Sequence, residues 1–130
     1  MLEPNIEKLI TAARAVQGKF TLASSEFSAA SVGATLRTVT GVIHTGVCAD
    51  LACGIGFCAE HAAISEMLKH REVEIAAIVA VNDLGILLPC GRCRELMVQL
   101  SPRNGNAQVV LPNERVVELR ELSPEHWLLL

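Results

Sequence analysis

Residues 74–100 read EIAAIVAVNDLGILLPCGRCRELMVQL, and the architecture turns on this stretch. Glu74 to Val81 is a nearly continuous apolar run, the pattern of a strand buried on both faces. A turn at Asn82 to Gly85 leads into a short stretch ending at Pro89. From Gly91 to Leu100 the apolar residues Cys93, Leu96, Met97 and Leu100 share one helical face, and Pro102 stops the helix.

Upstream, Leu2 to Val16 carries a helical stripe of Ile6, Leu9, Ile10, Ala13 and Val16, with Pro4 near its start and Gly18 just beyond its end. Ser31 to Leu36 and Val39 to His44 are short β-branched runs that predict a hairpin joined by Arg37 and Thr38. Gly46 to Phe57 holds three glycines and no clear period, so it reads as a loop delivering the chain to a helix from about Cys58 to about His70. Downstream of a Pro-Arg-Asn-Gly-Asn turn, Ala107 to Leu111 and Arg115 to Leu119 read as two more strands. The order predicts an α/β fold, one domain over residues 1–130, with a mixed sheet of about five strands covered by helices.

The composition, 51% hydrophobic and 19% charged, predicts a folded chain whose apolar excess suits burial between subunits. A net charge of -3, 3% aromatic residues and no tyrosine supply neither a basic field for phosphates nor rings for stacking bases, so no nucleic-acid partner is expected. Glu3, Glu7 and Lys8 stand where a signal peptide needs a basic start and an apolar run, and no later segment approaches a membrane span. A soluble cytoplasmic protein with no membrane partner is expected. Five cysteines, an odd number, with four in or beside two short clusters, suit a metal or reactive thiols better than structural disulfides.

Those clusters are Cys58-Ala59-Glu60 and Pro89-Cys90-Gly91-Arg92-Cys93-Arg94, each at a predicted loop-to-helix junction. A Cys-x-x-Cys pair opening a helix puts both sulfurs on the first turn, where the helix dipole favours thiolate, and a second helix beginning at Cys58 supplies a third. Three protein ligands leave the fourth tetrahedral position of Zn2+ open, as catalysis requires. Glu60, two residues past Cys58, is placed to accept a proton from water there. The spacing is that of zinc deaminases, with Cys in place of His at the first ligand. By itself the Cys-x-x-Cys pair also fits a structural metal clip or a redox couple.

Six elements, in this order, resemble the cytidine deaminase family with its blasticidin S deaminase relatives: Val32-Gly33-Ala34-Thr35-Leu36, Thr45-Gly46-Val47, Cys58-Ala59-Glu60, Gly85-Ile86-Leu87, Pro89 to Arg94, and Leu122-Ser123-Pro124 followed by Trp127. The resemblance implies a three-layer α/β/α fold and a homotetramer (or homodimer) whose active sites borrow residues from neighbours. It implies one catalytic zinc per subunit and a nucleoside-like substrate. Glu60 would take a proton from activated water and deliver protons to N3 and to the departing amine of a cytosine-like ring. Three thiolates on one divalent ion need compensating charge; many family members have arginine directly after Ala-Glu, whereas this chain has His61, leaving protonated His61, Arg92 or Arg94 for that task.

The chain also departs from the family. The usual Asn-x-Glu that holds ribose hydroxyls is Cys48-Ala49-Asp50 here, a stacking phenylalanine is replaced by Ala30, and Glu95 stands where Gln is usual. Cys48, Asp50 and Ala59 are therefore the candidate substrate contacts on one side, with Ser28 and a ring from Phe27 or a borrowed Trp127 on the other. Asp50 suits a loop turn equally well, and Cys48 and Cys53 also fit as small packing residues. His44, His70 and His126 lack ligand spacing to the cysteines and read as structural or surface residues. A zinc-stabilised binding protein without catalysis is the alternative of a different class.

Overall fold

The computed structural model describes residues 2–129. The elements run α1 (Pro4–Val16), β1 (Phe20–Thr21), β2 (Ser28–Thr38), β3 (Ile43–Asp50), α2 (Ala59–Lys69), β4 (Ile75–Asn82), β5 (Gly85–Leu87), α3 (Gly91–Leu100), β6 (Gln108–Leu111) and β7 (Arg115–Glu118). They build one sheet in the order β1-β2-β4-β6-β7, with β3 on β2 and β5 on β4. Only β4 and β6 pair in parallel, across the α3 crossover. The sheet is mixed, as expected, but has seven strands rather than about five; β1 and β5, of two and three residues, are too short to leave a period in the sequence.

Strand β4 explains the layering. Ala77, Val79 and Val81 meet Ile6, Leu9, Ile10 and Ala13 of α1. Ile78 faces the other way, into Ala63, Ile64 and Met67 of α2 and Met97 and Val98 of α3. A strand buried on both faces reads as a continuous apolar run, and the result is three layers, α/β/α. Asn104 is fully buried behind β4, where its amide donates to the Val73 and Met97 carbonyls and its carbonyl oxygen accepts from Ile75 N–H at 2.8 Å.

Two expectations are corrected. The hairpin exists, but Arg37 and Thr38 lie inside β2 and the turn is residues 39–42. Thr38 closes it twice, donating its N–H to Val42 O and accepting Val42 N–H on Oγ1, while Gly41 supplies the left-handed backbone at φ +94°. The presumed loop 46–57 is strand as far as Asp50, so the loop is residues 51–57 alone, pinned to β3 by a bridge between Ala49 and Phe57.

Gly46 misled because its role is close approach rather than a turn. A Cβ there would lie 2.4 Å from Ala63 N and 2.7 Å from Ala59 O, so α2 rests directly on β3; Gly33 admits α1 in the same way, at 2.5 Å from Ala13 O. Gly46→Ala is expected to lower stability by about 1–3 kcal/mol, the usual cost of overpacking, read as a fall in the urea midpoint. An unchanged midpoint would show that α2 can move away without penalty.

Candidate active site

Gly46 seats α2 on the sheet, and the start of that helix meets the start of α3. Cys58 is the N-cap of α2 and Cys90 the N-cap of α3, and neither helix has a side-chain cap. Their leading N–H groups therefore face the cysteines. Cys58 Sγ lies 3.5 Å from Cys90 Sγ, and Cys90 Sγ lies 3.3 Å from Cys93 Sγ. Tetrahedral zinc thiolates sit roughly 3.8 Å apart, so movements of a few tenths of an ångström would admit the ion.

The electrostatics favour such an ion. Burial, the Glu60 charge and the neighbouring thiols push Cys93 far above the ordinary thiol range. Cys58 is raised too, by burial and by its hydrogen bond to Cys90. At Cys90, burial works upward but is outweighed by hydrogen bonds with the Cys93 and Arg92 backbone and with the two neighbouring thiols. Glu60, 5% exposed on the first turn of α2, is raised by burial, and its carboxylate accepts from Cys93. Such a crowded set of incipient anions is stabilised by a divalent cation, and the sulfur donors with a helix dipole behind each cluster fit zinc.

Of the three candidates for compensating charge, Arg92 lines the cleft over the sulfurs. Arg94 spends its guanidinium on the Pro89 and Leu122 carbonyls, at 2.9 and 3.1 Å. His61 is held toward its neutral form by burial and by the adjacent Arg92 charge.

The cleft is about 550 Å³ and reaches from the sulfurs and Glu60 to the end of β3. Cys48, Asp50 and Ala59 line it. Ser31, which the sequence did not single out, links them: its hydroxyl donates to Asp50 Oδ2 at 3.1 Å and lies 3.2 Å from Cys48 Sγ, which also accepts Val32 N–H. A bulge brings Ser31 there, with Ala30 in the left-handed region at φ 62°. Phe57, 44% exposed, supplies a ring at the cleft wall. Its one sequence signal was its place immediately before Cys58.

Phe27, Ser28 and Trp127 are not among the residues lining this cleft. Phe27 closes the 24–27 turn through its N–H to Ser24 O, and Ser28 opens β2 opposite Asp50. Trp127 is 71% exposed and stacks on His126. His126 in turn accepts Leu128 N–H on Nδ1, which leaves its Nε2–H to donate to Glu95 at 2.8 Å. The departure at Glu95 thus serves to anchor the C-terminal segment.

Residues 4–108 match the family model of the cytidine and deoxycytidylate deaminase zinc-binding region. A probable cytidine deaminase of Dictyostelium discoideum is 32% identical over 102 residues, covering 76% of this chain and 67% of that protein. Blasticidin-S deaminase of Bacillus cereus is 33% identical over 81 residues, covering 55% of this chain and 58% of that protein. The crystal structure of cytidine deaminase from Mycobacterium leprae superposes with a TM-score of 0.77 at 28% identity, covering 95% of this chain and all of that one. With the matched region spanning both cysteine clusters and the fold shared end to end, the chain belongs to the cytidine and deoxycytidylate deaminase family and is a hydrolytic deaminase.

Proposed function

We propose that the protein converts the 4-amino group of a cytosine-type nucleoside (cytidine, deoxycytidine or a modified analogue) to a carbonyl, with Cys58, Cys90 and Cys93 as zinc ligands and Glu60 as the proton carrier. The observation that carries this reading is the grouping of three cysteine sulfurs, two of whose residues line an open cleft beside the buried Glu60. When bound, zinc supplies a Lewis-acidic centre that makes water nucleophilic near neutral pH.

Glu60 takes the proton that the attacking water loses and returns it to ring N3. It next moves the proton from the new C4 hydroxyl to the amine, which leaves as ammonia while the carbonyl forms. Water and substrate are thereby fully accounted for. Burial favours the protonated carboxyl, which suits a group that must hold a proton between the two transfers.

Ser31, Cys48 and Asp50 form the polar wall, and Phe57 the apolar one, against the remainder of the substrate. Asp50 is the acceptor suited to a sugar hydroxyl. Asp50→Ala and Phe57→Ala are each expected to raise KM about tenfold with kcat little changed, a hydrogen bond or a ring contact being worth about 1–2 kcal/mol. Equal falls in kcat would place these residues at the reacting centre instead. The exposed Ile55, Leu84 and Trp127 support a homotetramer or homodimer, in which Trp127, Phe27 and Ser28 serve a neighbouring cleft. Cytoplasmic pyrimidine salvage is the setting this family membership suggests.

Ammonia release by the zinc-loaded protein against cytidine, deoxycytidine, blasticidin S, free cytosine and modified pyrimidine nucleosides tests the reading. Turnover of a nucleoside is expected. Silence across the panel with the metal bound would overturn it in favour of a zinc-stabilised binding protein.

A further inference from the structure

We propose that His44, Glu66 and His70 form a second metal site, for a late first-row divalent ion such as Zn2+, which clamps β3 to the last turn of α2. One ligand atom from each of the three lies within 4.8 Å of the others. Glu66 and His70 are four residues apart on α2, the spacing that puts two side chains on one helix face. His44 reaches them from β3, and its ring centroid is 5.0 Å from that of His70. Two imidazoles and a carboxylate are a recognised zinc donor set.

The burial of His44 is the second, independent sign. The residue is 6% exposed, yet its Nε2 is buried with no hydrogen-bond partner among the described residues. A buried ring nitrogen left unsatisfied is costly, and an ion would recover that cost. His70 is already arranged for ligation: its Nδ1 lies 3.0 Å from Glu66 O, which fixes the ring and leaves Nε2 for a metal. Beside them Glu72 accepts from the Thr40 hydroxyl through Oε1, while its Oε2 is buried with no partner among the described residues. Lys69 Nζ holds Glu66 Oε1 at 2.9 Å, an exposed contact of little strength that an ion can displace.

The site is distinct from the cysteine cluster. Cys58 and His70 cap opposite ends of α2, roughly 18 Å apart at 1.5 Å per residue, and none of the three residues lines the cleft.

Cobalt titration of the metal-free protein separates the sites. The sulfur cluster gives intense thiolate-to-cobalt absorption in the near ultraviolet, whereas a histidine and carboxylate site gives weak visible bands alone. Two equivalents are expected for the wild type, the second without charge transfer. Glu66→Gln and His70→Ala, both at accessible positions, are each expected to weaken the second equivalent at least tenfold and to leave the first intact. A single equivalent in the wild type, or a second one unaffected in both variants, would overturn the proposal. Loss of the charge-transfer equivalent would instead strike the deaminase reading, so the two failures are distinguishable.

Discussion

Glu60→Ala is expected to lower kcat by about a hundredfold or more while the thiolate-bound metal stays in place, because it removes proton transfer and no ligand. The residue sits on the first turn of α2 with its carboxylate turned toward Cys93 and away from solvent. Glu60 is not among the three sulfur donors, so metal occupancy should hold. Steady-state ammonia release, with the cobalt charge-transfer band as the measure of occupancy, reads both halves. A variant that turns over normally would return Glu60 to a structural role; one that loses the band would make it a ligand.

Cys90→Ala should have the larger effect, abolishing the thiolate charge-transfer equivalent and taking deamination below detection. Two sulfurs on separate helices chelate weakly, and Cys90 is the one that stands next to both others. The fold should survive, since Cys90 is exposed at a helix end and outside the cores that hold the layers together. Far-ultraviolet circular dichroism would show this. Retained turnover would place the catalytic ion elsewhere, and a wild-type protein that cycled between dithiol and disulfide would be a redox couple. A strong chelator applied to the wild type should reproduce the loss of activity, and zinc should restore it.

The parts of the fold legible in the sequence were those in which a residue's identity and its environment agree locally. The apolar run of β4, the stripe of α1 and the helix that begins at Gly91 all follow from burial on one face or two. The two-residue and three-residue strands did not show because a period needs more positions than they have. Gly46 was misread because a glycine that admits a helix and a glycine that makes a turn look alike on paper; the difference lies in what comes to rest on it.

The site divides in the same way. The cysteines and Glu60 are carried by the first turns of two helices, where sequence spacing is spatial spacing. Ser31 and Phe57 depend on a bulge and a strand bridge, and the grouping of His44 with His70 depends on β3 lying against α2. None of these pairings is encoded at short range.

Arg94 donates from Nε and Nη1 to two carbonyls, one of them Leu122 O, and Glu95 on the next position holds His126. The segment from Leu122 to His126 is therefore tied to α3, although neither Leu122 nor His126 lines the cleft. An insertion or deletion between Leu122 and His126 would pull on the start of α3, and with it two of the three sulfurs.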